Sequence, residues 1–94
     1  MVYTKYYVGK TNLSDLEVKY FVIEKERKYG IALEQYSGDL IECDYEYFTE
    51  EHNEATKVAR FMQEGRVTLT SMTEILDDYI QSNSRFRLFF NTFS

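Results

Sequence analysis

From Val18 to Phe48 the chain runs as three β-rich segments separated by two short breaks. The last segment alternates most clearly. Ile41, Cys43, Tyr45 and Tyr47 fall at one parity, and Glu42, Asp44 and Glu46 fall at the other. Successive strand side chains point to opposite faces, so this period of two predicts one buried and one wet face. The apolar set is expected to point inward and the carboxylates outward. The segment before it places Tyr29, Ile31 and Leu33 on one face, with Gly30, Ala32 and Glu34 on the other. The first segment is apolar at both parities, with Val18, Tyr20 and Val22 against Phe21 and Ile23, which suits a central strand. Ser37-Gly38-Asp39 predicts a tight hairpin between Tyr36 and Leu40, because glycine takes positive φ without strain. Lys25 to Lys28 contains no Gly, Asn or Pro, so a four- or five-residue loop on a type I turn is expected there. Short links favour antiparallel neighbours, hence a meander.

The flanks complete an α+β domain. Val2 to Val8 has strong β propensity and reads as a further strand, and Gly9 to Asp15 reads as a loop. Gly9-Lys10-Thr11 echoes the end of a phosphate-binding loop, but the motif's first glycine is replaced by Thr4 and no helix pattern follows. After the sheet, Ala55, Val58, Ala59 and Met62 recur at helical spacing, with Phe61 on the flank. Thr49 is the expected N-cap and Gly65 the expected left-handed stop. Arg66 to Thr70 reads as an extended connector. Ser71 and Glu74 fit a capping box, and Met72, Ile75, Leu76, Tyr79 and Ile80 form the stripe of a second helix. Ser82 to Ser84 is expected to end it. The predicted architecture is an antiparallel meander sheet of three to four strands with two helices on one face. Residues 1–84 form the domain and 85–94 an aromatic tail docked on the chain itself or on a partner.

Ninety-four residues support one core. A single cysteine, Cys43, excludes an intramolecular disulfide and any multi-cysteine zinc site, and its strand position predicts an inert core thiol. No run is long enough to span a bilayer and the N-terminus does not read as a signal peptide, so a cytoplasmic protein with no membrane contact is expected. The net charge of −5 argues against direct nucleic-acid binding, which needs cations to displace counterions. The charge is uneven, since residues 85–94 hold two arginines and no acid.

At Tyr29-Gly30-Ile31, and along Val67-Thr-Leu-Thr-Ser-Met-Thr-Glu-Ile-Leu-Asp-Asp-Tyr79, the chain resembles a small uncharacterised family of spore-forming Firmicutes, a domain of unknown function. The resemblance covers roughly residues 18–80 and implies a Tyr-Gly-Ile strand and an acidic final helix ending near a tyrosine. Family members tend to carry proline where this chain has Leu69 and histidine where it has Ser71, so no role attached to those positions carries over. The resemblance implies no activity.

The residues themselves offer three functional classes. His52, the only histidine, falls in the first turn of the first helix on the solvent side, with no nucleophile placed beside it by sequence, so no catalytic residue is assigned. Glu34, Glu42, Asp44 and Glu46 are expected to share one face. They read as a solvated face interleaved with lysines such as Lys19 and Lys25, and less readily as a metal-dependent hydrolase site. The expected function is a non-catalytic protein-binding or regulatory module without cofactor or metal. Its partner-binding residues are Glu42, Asp44, Glu46, Tyr45 and Tyr47 on the strand and Arg85, Phe86, Arg87, Phe89 and Phe90 in the tail, with a homodimer through the tail as the simplest case. The alternative is an acidic inhibitor that imitates nucleic acid before a basic enzyme, of the kind phages and mobile elements encode.

Overall fold

A computed structural model describes the backbone of residues 3–93 and the side chains of residues 3–81. Four ten-residue strands follow one another: β1 (Thr4–Leu13), β2 (Leu16–Lys25), β3 (Lys28–Ser37) and β4 (Leu40–Thr49). They pair antiparallel in the order β1-β2-β3-β4, the predicted meander at its four-strand limit. Helices α1 (His52–Glu64) and α2 (Leu69–Phe93) pack on one face. Val18, Tyr20, Val22, Ile31 and Leu33 meet Ala55, Val58, Ala59, Met62, Val67, Met72 and Leu76 there in a single core. The expected stripes of both helices are therefore the ones that pack. β2 is central, as its two-sided apolar pattern requires.

Each hairpin turn has two residues. Ser14 and Gly38 take positive φ, at 44° and 60°, at the first turn position. The expected longer loop at Lys25–Lys28 is instead a two-residue turn in which Glu26 and Arg27 both take positive φ, at 52° and 69°. That pattern is the mirror-image turn whose twist matches flanking strands, here adopted by residues that resist it. The expected loop at Gly9–Asp15 is also strand. β1 carries a bulge between Tyr7 and Gly9, and the extra residue, Val8, packs into the helix-side core. The bulge hides the strand from a period-two search, because parity changes across it. Gly9-Lys10-Thr11 is tied to α1: Gln63 Nε2 donates to the Lys10 carbonyl at 3.3 Å, and Thr11 Oγ1 donates to the Gln63 carbonyl at 3.1 Å.

β4 has a matching bulge opposite Tyr29 and Gly30, and its extra residue, Phe48, also packs on the helix side. Gly30 is required by this close approach: a Cβ there would lie 2.0 Å from the Glu46 carbonyl oxygen.

The caps shift by a few residues. α1 begins at His52, so Thr49 lies outside it. Thr49 Oγ1 still accepts from the Glu51 N–H at 3.1 Å and donates to Glu54. Gly65 is not left-handed, with φ −83°; Arg66 takes that role at φ 55°. Arg66 N–H donates to the Gln63 carbonyl and Val67 N–H to the Met62 carbonyl, and both Met62 and Val67 are buried. This is a Schellman stop displaced by one residue. α2 begins at Leu69, ahead of the expected capping box, so Ser71 lies inside the helix. The Leu69 N–H is satisfied from the sheet, by Gln35 Oε1 at 3.2 Å. The Tyr20 hydroxyl donates to the Val67 carbonyl at 2.7 Å and pins the corner between the helices. The backbone of α2 runs through Ser82–Ser84, since serine and asparagine each cost a helix interior only about half a kcal/mol.

Candidate functional site

Cross-strand partners share a face, so the register assigns every strand residue to one side of the sheet. Ile31 lies opposite Glu46 and Leu33 opposite Asp44, while Ala32 lies opposite Tyr45 and Glu34 opposite Cys43. Ile31 and Leu33 belong to the helix-side core. Glu42, Asp44 and Glu46 therefore stand on the helix side, at its uncovered edge. Ile41, Cys43, Tyr45 and Tyr47 stand on the open side. The expected orientation of this strand is reversed. Ile41 is 62 % exposed and Tyr45 56 %, and Cys43 is an exposed thiol rather than a core one. Glu34 is likewise separated from the other three carboxylates. The physical cause is register, since the two-residue Gly38-Asp39 turn sets the carboxylates opposite Ile31 and Leu33, and the edge position of β4 leaves Glu42 and Asp44 exposed there.

The open side has an apolar floor with an amphipathic cover. Phe21, Ile23 and Ala32 are buried and form a small cluster with Tyr47, and among the described residues no helix side chain joins it. Tyr7 leans edge-on to Phe21, with centroids 5.6 Å apart, and Tyr45 edge-on to Tyr47 at 5.9 Å. A groove of about 160 Å³ crosses the sheet over Ile23 and Ala32, between Tyr3 and Lys5 on one side and Tyr45 and Tyr47 on the other, and Glu34, Cys43 and the edge residue Asp44 complete its lining.

Charge on this face is cationic. Five of the chain's six lysines lie on it (Lys5, Lys10, Lys19, Lys25 and Lys28), against Glu17 and Glu34. Lys5 bridges to Glu34, and its ammonium lies 4.4 Å from the Phe21 ring centroid. Lys10 bridges to Glu17 at 3.1 Å, and Lys19 lies 4.8 Å over the Tyr36 ring. The Tyr36 hydroxyl donates to Glu34 at 2.8 Å. Burial pushes the Glu34 carboxyl up, but the hydrogen bonds from Lys5 and Tyr36 outweigh it and hold the pKa below the usual value. The same contact with Glu34 raises Lys5.

The helix side has the opposite sign. Away from the open face and the hairpin tips, residues 3–81 carry eleven carboxylates against Lys57, Arg60 and Arg66. Burial, then Asp77 and Asp44, raise the pKa of Glu46. His52 is exposed and lies between Tyr6 and Tyr29, edge-on to each with centroids 5.4 Å apart. Both tyrosines donate to Glu24, at 3.0 and 3.3 Å. Among the described residues, no group of three His, Cys, Asp or Glu side chains is placed to hold a metal ion, and no helix is long and apolar enough to cross a membrane.

Of the expected partner-binding residues, Tyr45 and Tyr47 are thus brought together, and Glu42, Asp44 and Glu46 are set on the other side. Arg85, Phe86, Arg87, Phe89 and Phe90 lie outside the described side chains. Lys19 and Lys25, expected among the four strand carboxylates, share the open face with only Glu34 of those four, and Lys5, Lys10, Lys28, Tyr7 and Phe21 are additions that the sequence pattern did not single out. Their signal was the hairpin length, because a two-residue turn at Gly38-Asp39 fixes Leu33 opposite Asp44.

Comparison with curated proteins and with solved structures finds no match. Residues 1–82 match DUF6514, a family of unknown function, and the chain belongs to that family.

Proposed function

We propose that this DUF6514 protein is a non-catalytic protein-binding or regulatory module whose partner docks on the open face of the sheet. The supporting observation is the uncovered apolar floor. Phe21, Ile23 and Ala32 are screened by tyrosines and lysine stems rather than by a packed layer, while Tyr7 and Tyr45 stay more than half exposed. Tyrosine-rich, well-supported patches are where binding energy concentrates in protein interfaces. The partner is sought in the cytoplasm of a spore-forming Firmicute host, in line with the resemblance of the sequence. Tyr45 and Glu42 lie on one strand but on opposite faces, and both are exposed. Replacing each in turn by a photo-crosslinking phenylalanine in living cells is expected to give a discrete crosslinked species from position 45 and none from position 42. The reverse pattern would overturn the reading.

A second reading uses the acidic side, as an inhibitor that imitates nucleic acid before a basic enzyme. The acidic surroundings of Glu46 support it: burial raises its pKa first, and Asp77 and Asp44 add to the shift, so a cationic partner there would relieve the part that the neighbouring carboxylates cause. It requires crosslinking from position 42, lost on Glu42→Lys, Asp44→Lys and Glu46→Lys together and weakened by salt.

A further inference from the structure

We infer that the open face binds an acidic segment of a partner protein, one apolar side chain of which fills the groove between Lys5 and Tyr45. This rests on the docking reading above and adds the chemistry of the occupant. The face carries an excess of three positive charges on a chain whose net charge is −5. Glu34 and Glu17 engage Lys5 and Lys10, so the remaining excess belongs to Lys19, Lys25 and Lys28. Lys25 and Lys28 lie directly opposite each other, and among the described residues neither forms an ion pair. Like charges directly opposite on paired strands are destabilising, and a carboxylate laid between them removes that cost. The groove measures about 160 Å³ over Ile23 and Ala32. A cavity of about 150 Å³ holds a benzene ring, so one phenylalanine or leucine side chain fits by size. Glu34 and Asp44 also line the groove, so the partner's carboxylates are assigned to Lys19, Lys25 and Lys28 outside it and only the apolar side chain to the groove itself.

Three other occupants fit less well. A second copy stacked face to face would set two cationic surfaces against each other. The chain's own last ten residues carry Arg85 and Arg87 and no acid, the wrong sign for this face. Single-stranded nucleic acid binds on flat rings that successive bases can stack on. Here Tyr7 meets Phe21 at 64° and Tyr45 meets Tyr47 at 77°, edge to face.

The test selects a displayed library of random twelve-residue peptides on the full chain and measures affinity by fluorescence polarisation. Two variants are run in parallel, each checked by thermal melt: Lys19→Glu with Lys25→Glu and Lys28→Glu, and the groove-filling Ala32→Leu. Enriched peptides are expected to be acidic around one bulky apolar residue. They should bind at least about tenfold more weakly to either variant, and more tightly as salt is lowered. Enriched peptides of neutral or basic sequence, unaffected by the lysine reversals but lost on Ala32→Leu, would overturn the acidic occupant and leave the docking face standing. No enrichment, or equal binding to wild type and both variants, would overturn both. A thirty-residue oligo-dT that binds the wild type and not the lysine variant, or a dimer by sedimentation that Tyr45→Asp dissociates, would replace the acidic segment by nucleic acid or by a second copy.

Discussion

The same four strands bury apolar side chains on both faces of the sheet, but by different means. On the helix side Val18, Tyr20, Val22, Ile31 and Leu33 sit under α1 and α2, and the buried hydroxyl of Tyr20 has its acceptor. On the open side Phe21, Ile23 and Ala32 reach similar burial beneath Tyr47 and the stem of Lys5. Long amphipathic side chains shelter apolar surface while their polar ends stay wet. A layer of helices contributes cohesion, whereas a layer of tyrosines and lysines can be moved aside or built upon. The difference also separates charge, since the lysines lie over the open face and the carboxylates crowd the helix side. Stability therefore belongs mainly to the helix side, and the recognition proposed above would fall to the open one.

The largest effect that could break this division is truncation on each side. Leu33 is fully buried on the helix side. Leu33→Ala is expected to cost about 2–5 kcal/mol in urea unfolding, the range for a buried leucine that leaves a cavity. Tyr45→Ala should stay within about 0.5 kcal/mol, as exposed substitutions do. A comparable loss at Tyr45 would mean that the open face is core, and the docking reading would lose its basis.

A smaller contrast compares hydroxyls. Tyr20→Phe leaves the Val67 carbonyl in the core without its donor. A cost of about 1–2 kcal/mol is expected, with a loosened α1–α2 corner visible as faster hydrogen exchange around Val67. Tyr36→Phe removes a hydrogen bond to Glu34 on the open side, where water can replace it. Its cost should be smaller, about half a kcal/mol or less. Equal costs would show that solvent does not reach Glu34.

Much of the fold could be read before any coordinates. Val18 to Ile23 announced a central strand by being apolar at both parities, and the stripes of Val58 and Leu76 identified the faces that pack. The candidate site was harder. Alternation in Ile41–Tyr47 establishes that the two faces differ, but not which one the helices cover. The inward guess followed hydrophobicity alone. Burial of Ile31 and Leu33, carried across the Gly38-Asp39 turn by register, decides the matter against it. The strand through Gly9–Leu13 was hidden by its turn-forming residues, Gly9 and Asn12 with Ser14-Asp15 just beyond, and the bulge at Val8 breaks its alternation as well. The Glu26-Arg27 turn was hidden because its backbone needs positive φ from residues that seldom supply it.

The finest contrast is between two glutamates. Glu34 on the open side has its pKa held below the ordinary 4.5 by Lys5 and Tyr36, against the pull of burial. A carboxylate with a lowered folded-state pKa contributes stability above its unfolded value, and that contribution is lost as pH falls through the folded one. Glu46 on the helix side is raised above 4.5 by burial, Asp77 and Asp44. Its charged form is disfavoured in the folded chain, so stability falls as pH rises from 4.5 through the raised value. Glu34→Gln should therefore destabilise at pH 7, and Glu46→Gln should stabilise, each by about half a kcal/mol for groups that water still reaches. At pH 4 the gain from Glu46→Gln should be nearly gone, because that carboxyl is then mostly protonated in both states. The loss from Glu34→Gln should shrink too, but at a lower pH, because the folded state holds its charge longer. Urea unfolding of both variants at the two pH values checks the signs. The same sign at pH 7 would mean that the two faces do not impose opposite fields on their carboxylates, and the charge separation that supports an acidic partner would be too weak to select one.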